Sequence, residues 1–207
     1  MIKAVLFDLD GLLVDTETVG IIVAIKVCKE LGINLTKEEK KEFVGITDEK
    51  FYKELFQKRK LNYNVTEILR KHFILYGKFL RKDLKVFPGA KLLPKKLKSK
   101  GYKLGLVSGS TKEQIDIILK KLKIKDQFEV IVSTEDVQNS KPSPEGYILA
   151  AKKLGIKPKD CIVIEDATQG VKSGKNARMK VIGITNGSEQ DLSLADIIFN
   201  SLDEVKF

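Results

Sequence analysis

The chain opens Met1-Ile2-Lys3-Ala4-Val5-Leu6-Phe7-Asp8-Leu9-Asp10-Gly11-Leu12-Leu13-Val14-Asp15-Thr16. A largely apolar run over residues 2–7 stops at a carboxylate. A strand buried on both faces of a parallel sheet reads this way, and Asp8 then sits at its carboxyl end. Residues 103–107, 129–132 and 161–164 repeat the pattern, and 180–184 and 196–199 supply a fifth and a sixth strand. Helical periodicity fills the gaps at 90–100, 112–121, 144–154 and 170–177. Strand alternating with helix predicts an α/β fold, a doubly wound parallel-sheet core of the Rossmann-like kind.

One interval breaks the alternation. Between residues 18 and 84 there is helical periodicity and no strand signal. Ile21, Ile22, Ala24, Ile25, Cys28 and Leu31 make one amphipathic face, closed by Gly32, and Thr36-Lys37-Glu38-Glu39 has the form of a capping box that opens a second helix. Residues 48–59 and 66–81 make two more. The expectation is a four-helix cap over residues 15–85, inserted into a core formed by residues 1–14 plus 86–207. The linkers lie at 14–18 and 83–89, the second marked by Pro88-Gly89.

Composition narrows the function classes. The 207 residues suffice for one buried core and a modest insertion. With 43% apolar and 32% charged residues the chain is expected to be globular. No apolar run approaches the roughly 20 residues that span a bilayer, and the apolar start is too short for a leader, so a cytoplasmic protein is expected. The net charge of +10 comes mostly from Lys on helix faces such as Lys95-Lys96, Lys120-Lys121 and Lys152-Lys153, with no Arg-aromatic interleaving. A solvated surface, and no nucleic-acid partner, is expected. Such a field would also steer an anionic substrate. Cys28 and Cys161 stand alone in apolar surroundings and are read as buried free thiols. His72 is the only His, set in a helical pattern far from the other polar signals, which leaves no basis for a Ser-His-Asp triad or a His-built zinc site.

Ligands bind outside the carboxyl ends of an open parallel sheet. The residues there are Asp8, Asp10 and Gly11 after strand one, Ser108-Gly109-Ser110 after strand two, Ser140-Lys141-Pro142 in the loop after strand three, and Glu165-Asp166 after strand four. Asp8 and Asp10, at i and i+2, are expected to point to the same side. Carboxylates held this close repel and call for a cation between Asp8 and the Asp166 pair, and a hard ion such as Mg²⁺ suits oxygen ligands. Asp8 is then placed to attack phosphorus, and Asp10 to protonate the leaving oxygen and later take a proton from water. Ser108 and the Gly109 amide are expected to bind phosphoryl oxygens, and Lys141 to offset the growing negative charge. Asp and Gly after a strand are ordinary turn residues, Ser there is a frequent helix N-cap, and Lys-Pro pairs are common in loops. It is their joint occurrence at successive strand ends that points to a site.

These segments resemble four motifs of the haloacid-dehalogenase superfamily: Asp8 to Glu17, Val107 to Ser110, Ser140 to Pro142, and Ile164-Glu165-Asp166-Ala167-Thr168-Gln169-Gly170-Val171. The likeness runs along essentially the whole chain, and the helical insert is similar to the small cap of the subgroup that holds β-phosphoglucomutase and many sugar-phosphate phosphatases. The resemblance implies Asp8 as nucleophile and metal ligand, Asp10 as acid/base with its backbone carbonyl on the metal, and Asp166 completing the Mg²⁺ site. Glu165 would be a ligand or an orienter, Ser108 and Lys141 would hold phosphate, and the cap would close over a small phosphorylated substrate. Departures favour a phosphatase. Gly20 stands near the place of the mutases' cap His, and Gly45-Ile46-Thr47-Asp48 replaces their cap Arg. Asp48 falls where phosphonatases carry a Lys, and Asp10 is the residue dehalogenases lack. Mutase, phosphonatase and non-catalytic binding remain the alternatives. Cap residues 44–48 and Glu17 are expected near the substrate, and a monomer or weak oligomer is expected.

Overall fold

The computed structural model describes residues 1–43, 46–82 and 84–207. Val44 and Gly45, expected near the substrate, and Asp83, expected in a linker, lie outside the described residues. The chain divides into two compact units, Met1–Asp15 with Lys85–Phe207, and Thr16–Leu84.

The first unit is a six-stranded sheet in the order β3-β2-β1-β4-β5-β6. Its strands are β1 (Ala4–Phe7), β2 (Lys103–Val107), β3 (Val130–Val132), β4 (Cys161–Glu165), β5 (Lys180–Ile184) and β6 (Ile197–Phe199). Every pairing is parallel. All four residues of β1 are buried, as its unbroken apolar run requires of a strand covered on both faces. Phe7 lies level with Leu106 of β2 and with Ile164 of β4. One residue further along each strand come Asp8, Val107 and Glu165, so the register itself brings three strand ends to one height.

Four α-helices belong to this unit among the described residues: α5 (Leu92–Ser99), α6 (Lys112–Leu122), α7 (Glu145–Leu154) and α8 (Thr168–Asn176) follow the insertion in chain order, after α1–α4 below, with α5 preceding β2. Ala4 and Leu6 join Tyr147, Ala150, Ala151 and Leu154 of α7 and Val171 of α8 in one core cluster. Phe7 meets Phe128 edge-on. Helix α6 opens with a capping box in which the Gln114 amide donates to Thr111 Oγ1 and the Thr111 amide to Gln114 Oε1.

The second unit holds α1 (Thr16–Glu30), α2 (Lys37–Glu42), α3 (Asp48–Lys58) and α4 (Val65–Lys82). The expected capping box is present: the Glu39 amide donates to Thr36 Oγ1 at 3.2 Å, and the Thr36 amide to Glu39 Oε2 at 2.8 Å. Arg59 clasps the same carboxylate at 2.6 Å and holds it below the usual range. His72 lies in α4, as its helical pattern predicts. It is buried and hydrogen-bonded through Nδ1 to the Tyr52 hydroxyl at 2.9 Å, with Asp48 Oδ1 3.6 Å from Nε2. α3 brings both partners in from about a helix-length away in sequence, which local periodicity does not reveal. Cys28 and Cys161 are buried and free. No described helix is long and apolar enough to cross a membrane.

Candidate active site

β1 delivers Asp8 to the sheet's carboxyl edge, where its amide donates to the Ile164 carbonyl at 3.0 Å. The chain then turns sharply. The Gly11 amide donates to the Val14 carbonyl at 2.8 Å and that of Leu13 to Leu9 at 2.9 Å. Gly11 has φ +82°, and a Cβ there would stand 2.1 Å from Asp166 Oδ2, so both backbone and space demand glycine. Asn186, just beyond β5, fastens the turn by donating to the carbonyls of Gly11 at 2.8 Å and Leu12 at 3.2 Å.

Lys141 reaches the same point from the loop after β3. Its ammonium donates to Asp8 Oδ1, to Glu165 Oε1 at 2.5 Å and to the Val107 carbonyl at 3.4 Å. The Tyr147 hydroxyl also donates to Glu165 Oε1, at 2.7 Å, and the Tyr147 ring lies 5.3 Å below the ammonium. Glu165 Oε2 accepts from the amides of Asp166 at 3.1 Å and Ala167 at 3.3 Å.

The electrostatics follow from the burial. Asp8, Glu165 and Asp166 are all buried, and one oxygen from each lies within 4.8 Å of the others. Burial, helped by the charges of Glu165 and Asp10 and opposed by Lys141, pushes the Asp8 carboxyl up to about 8. Asp166 is pushed well above the carboxylate range by burial and by the charges of Asp8 and Glu165. Burial acts to lower Lys141, but Asp8 and Glu165 outweigh it and hold the ammonium well above its usual value. Asp166 Oδ1 is buried without a hydrogen-bond partner. An all-oxygen donor set with excess negative charge and an orphaned oxygen fits a hard divalent cation.

The sequence-derived residues therefore divide. Asp8, Lys141, Glu165 and Asp166 form one cluster. Asp10 is close enough for its charge to act on Asp8, and its carboxylate is held by two hydroxyls from the loop after β2. Oδ2 accepts from Ser108 Oγ at 2.6 Å and Ser110 Oγ at 3.0 Å. Ser108 Oγ in turn accepts from the Ser110 amide at 2.9 Å. Ser108, Gly109 and Lys141 line a cavity of about 130 Å³ together with Val132, Val137 and Ser140. Glu17 and Asp48 belong to the helical unit.

Three participants were not singled out from the sequence. Asn186 follows strand five, so asking what stands at that strand's end would have found it. Ser110 was quoted only as part of its motif. Tyr147 gave no signal, because a Tyr in the buried stripe of a helix reads as core.

The chain is 34% identical over 190 residues to YhcW of Bacillus subtilis, named a candidate phosphatase, covering 90% of this chain and 84% of that one. It is 30% identical over 205 residues to a Bacillus subtilis beta-phosphoglucomutase, covering 95% and 88%. The crystal structure of a beta-phosphoglucomutase from Clostridium difficile superposes with a TM-score of 0.81 at 28% identity, over 100% of this chain and 94% of that one. Two Arabidopsis thaliana relatives are longer, and the chain spans 18% and 54% of them. The model of the haloacid dehalogenase-like hydrolases matches residues 5–184, and with the buried Asp8–Lys141–Asp166 constellation at the sheet's carboxyl edge this chain belongs to that family.

Proposed function

We propose that this chain is a Mg²⁺-dependent phosphatase that hydrolyses a small phosphorylated metabolite, a sugar phosphate, through an aspartyl-phosphate on Asp8. The relatives named phosphatases assign it to the phosphoric monoester hydrolases. The observation that carries the finer reading is Asp8 itself: a buried carboxylate, ion-paired to Lys141, beside an Asp166 oxygen that has no partner.

Asp8, Asp166, the Asp10 backbone carbonyl and, as a ligand or an orienter, Glu165 would hold the cation. When bound, the cation supplies the positive charge that keeps Asp8 ionised despite its burial and draws charge from the phosphoryl oxygens. The Asp8 carboxylate attacks phosphorus. The Asp8 O–P bond forms as the ester P–O bond breaks, and Asp10 gives its proton to the departing oxygen. Asp10, now ionised, takes a proton from water as that water's oxygen attacks phosphorus. The Asp8 O–P bond breaks and inorganic phosphate leaves. Ser108 and Ser110 hold the Asp10 carboxyl in place before it turns to the leaving group. Lys141 offsets the charge that grows on the equatorial oxygens, with the Gly109 amide and the Ser108 hydroxyl as further donors.

We read the unit Thr16–Leu84 as the cap that selects the substrate and excludes water. The small phosphorylated substrate is the only partner proposed, with no nucleic acid, for a cytoplasmic monomer or weak oligomer. The likeness to beta-phosphoglucomutases gives a second reading, a phosphomutase. Against it, Gly20 lies in a tight place within α1: a Cβ there would stand 3.0 Å from the Phe43 ring. A side chain at position 20 would need the Phe43 ring to give way, and the glycine there supplies no imidazole. The test is release of inorganic phosphate from a panel of sugar phosphates with Mg²⁺. Free phosphate in step with substrate loss supports hydrolysis. Transfer to a second hydroxyl without free phosphate supports the mutase.

A further inference from the structure

Tyr147 touches both halves of the pair that governs Asp8. It is fully buried in the first turn of α7, with its hydroxyl on Glu165 Oε1 and its ring face under the Lys141 ammonium. The oxygen that takes the Tyr147 proton also takes one from Lys141. With the Asp166 and Ala167 amides on Oε2, Glu165 accepts four hydrogen bonds, about the full capacity of a carboxylate. Without the phenol, Oε1 would have Lys141 as its only donor and would draw the ammonium away from Asp8. The ring limits the same movement from below, since a cation over an aromatic face is held by the ring quadrupole. Burial, reinforced by the Glu165 charge, holds the phenol well above its usual value, so it stays a neutral donor.

We propose that Tyr147 is a positioning residue: its hydroxyl satisfies Glu165 and its ring supports Lys141, so that the ammonium remains shared between Glu165 and the Asp8 nucleophile. The inference rests on the phosphatase reading and deepens it. It predicts an effect on the rate of attack and not on substrate capture, because Tyr147 is buried and acts only through Glu165 and Lys141.

The experiment is a double-mutant cycle with steady-state kinetics on the full chain with Mg²⁺, using a sugar phosphate that the wild type hydrolyses. Tyr147→Phe, which keeps the ring, is expected to lower kcat about tenfold while leaving KM within about twofold. In a Glu165→Gln background the same change should alter kcat by less than about twofold, because the group through which the phenol acts is already gone. Melting curves check the fold. If Tyr147→Phe does not melt cooperatively, Tyr147→Met, which also lacks the donor, replaces it with the same expected loss. A purely structural tyrosine would lower the melting temperature without splitting kcat from KM. A kcat within about twofold of wild type, a loss confined to KM, or the same fold-change in both backgrounds overturns the inference and leaves the phosphatase reading intact. A wild type that releases phosphate from no phosphomonoester overturns that reading and this inference with it.

Discussion

Each unit of the molecule gathers a carboxylate, a nitrogen base and a buried tyrosine, and the two clusters are built on opposite terms. In the α/β unit, Asp8, Lys141, Glu165 and Tyr147 are linked by direct hydrogen bonds, with Glu165 accepting at 2.5 and 2.7 Å. In the helical unit, Asp48 stands 3.6 Å from His72 Nε2, which is buried without a hydrogen-bond partner, and the imidazole stacks against Phe43 and Tyr76. The first cluster concentrates charge that only ion pairing and a further cation can balance. In the second, burial works against charge on both Asp48 and His72, and its His behaves as a core residue with one polar tether. Burying ionisable groups therefore does not by itself mark a site. An excess of like charge around an oxygen left open does.

Substitutions should separate the two clusters. The largest effect is expected from Asp8→Asn: phosphate release should fall by at least about 10³-fold while the protein melts as cooperatively as wild type, since the change removes a costly buried charge. Circular dichroism with a phosphate-release assay checks both halves. Asp10→Asn should lower kcat by about 10²-fold, the typical worth of a positioned acid/base, with binding of inorganic phosphate retained by calorimetry. Lys141→Ala leaves Asp8 and Glu165 facing each other, and urea unfolding in EDTA should show a loss of about 3 kcal/mol, part of which Mg²⁺ restores.

The smallest effect belongs to the helical unit. Burial lowers the His72 pKa against the opposing pull of Asp48. The folded chain thus refuses a proton that the unfolded chain accepts below the ordinary His value of about 6.5. His72 stability is complete above that pH and declines as pH falls below it, by at most about 1.4 kcal/mol per unit. Asp48, raised by burial, has the opposite sign. Unfolding of wild type and His72→Phe between pH 7.5 and 5.5 should therefore show a steeper decline in the wild type, and equal slopes would remove the contrast drawn here.

The sheet was legible because a strand covered on both faces can hide no polar side chain, so each apolar run announced its strand and the polar residue ending it announced the site. That logic singled out Asp8, Ser108, Glu165 and Asp166, and the loop Lys141 with them, as candidates. It failed where the regular element stopped. Beyond Phe7 periodicity does not report which groups hold Asp10, and its partners Ser108 and Ser110 come from the end of another strand. It also failed where a partner comes from another helix. Nothing near Tyr147 in the sequence names Glu165, and nothing near His72 names Tyr52, because both contacts exist only once distant elements pack. The Thr36 capping box was read in advance because its two residues lie within a single turn.

The account turns on a covalent bond between Asp8 and phosphorus. A single turnover with a radiolabelled sugar phosphate and Mg²⁺, quenched rapidly in acid and digested, tests it most directly. The account predicts transient label on the peptide containing Asp8, released by hydroxylamine as an acyl phosphate must be and absent in Asp8→Asn. Phosphate formed in that turnover with no label on Asp8 at any time, or label on another side chain, would contradict it.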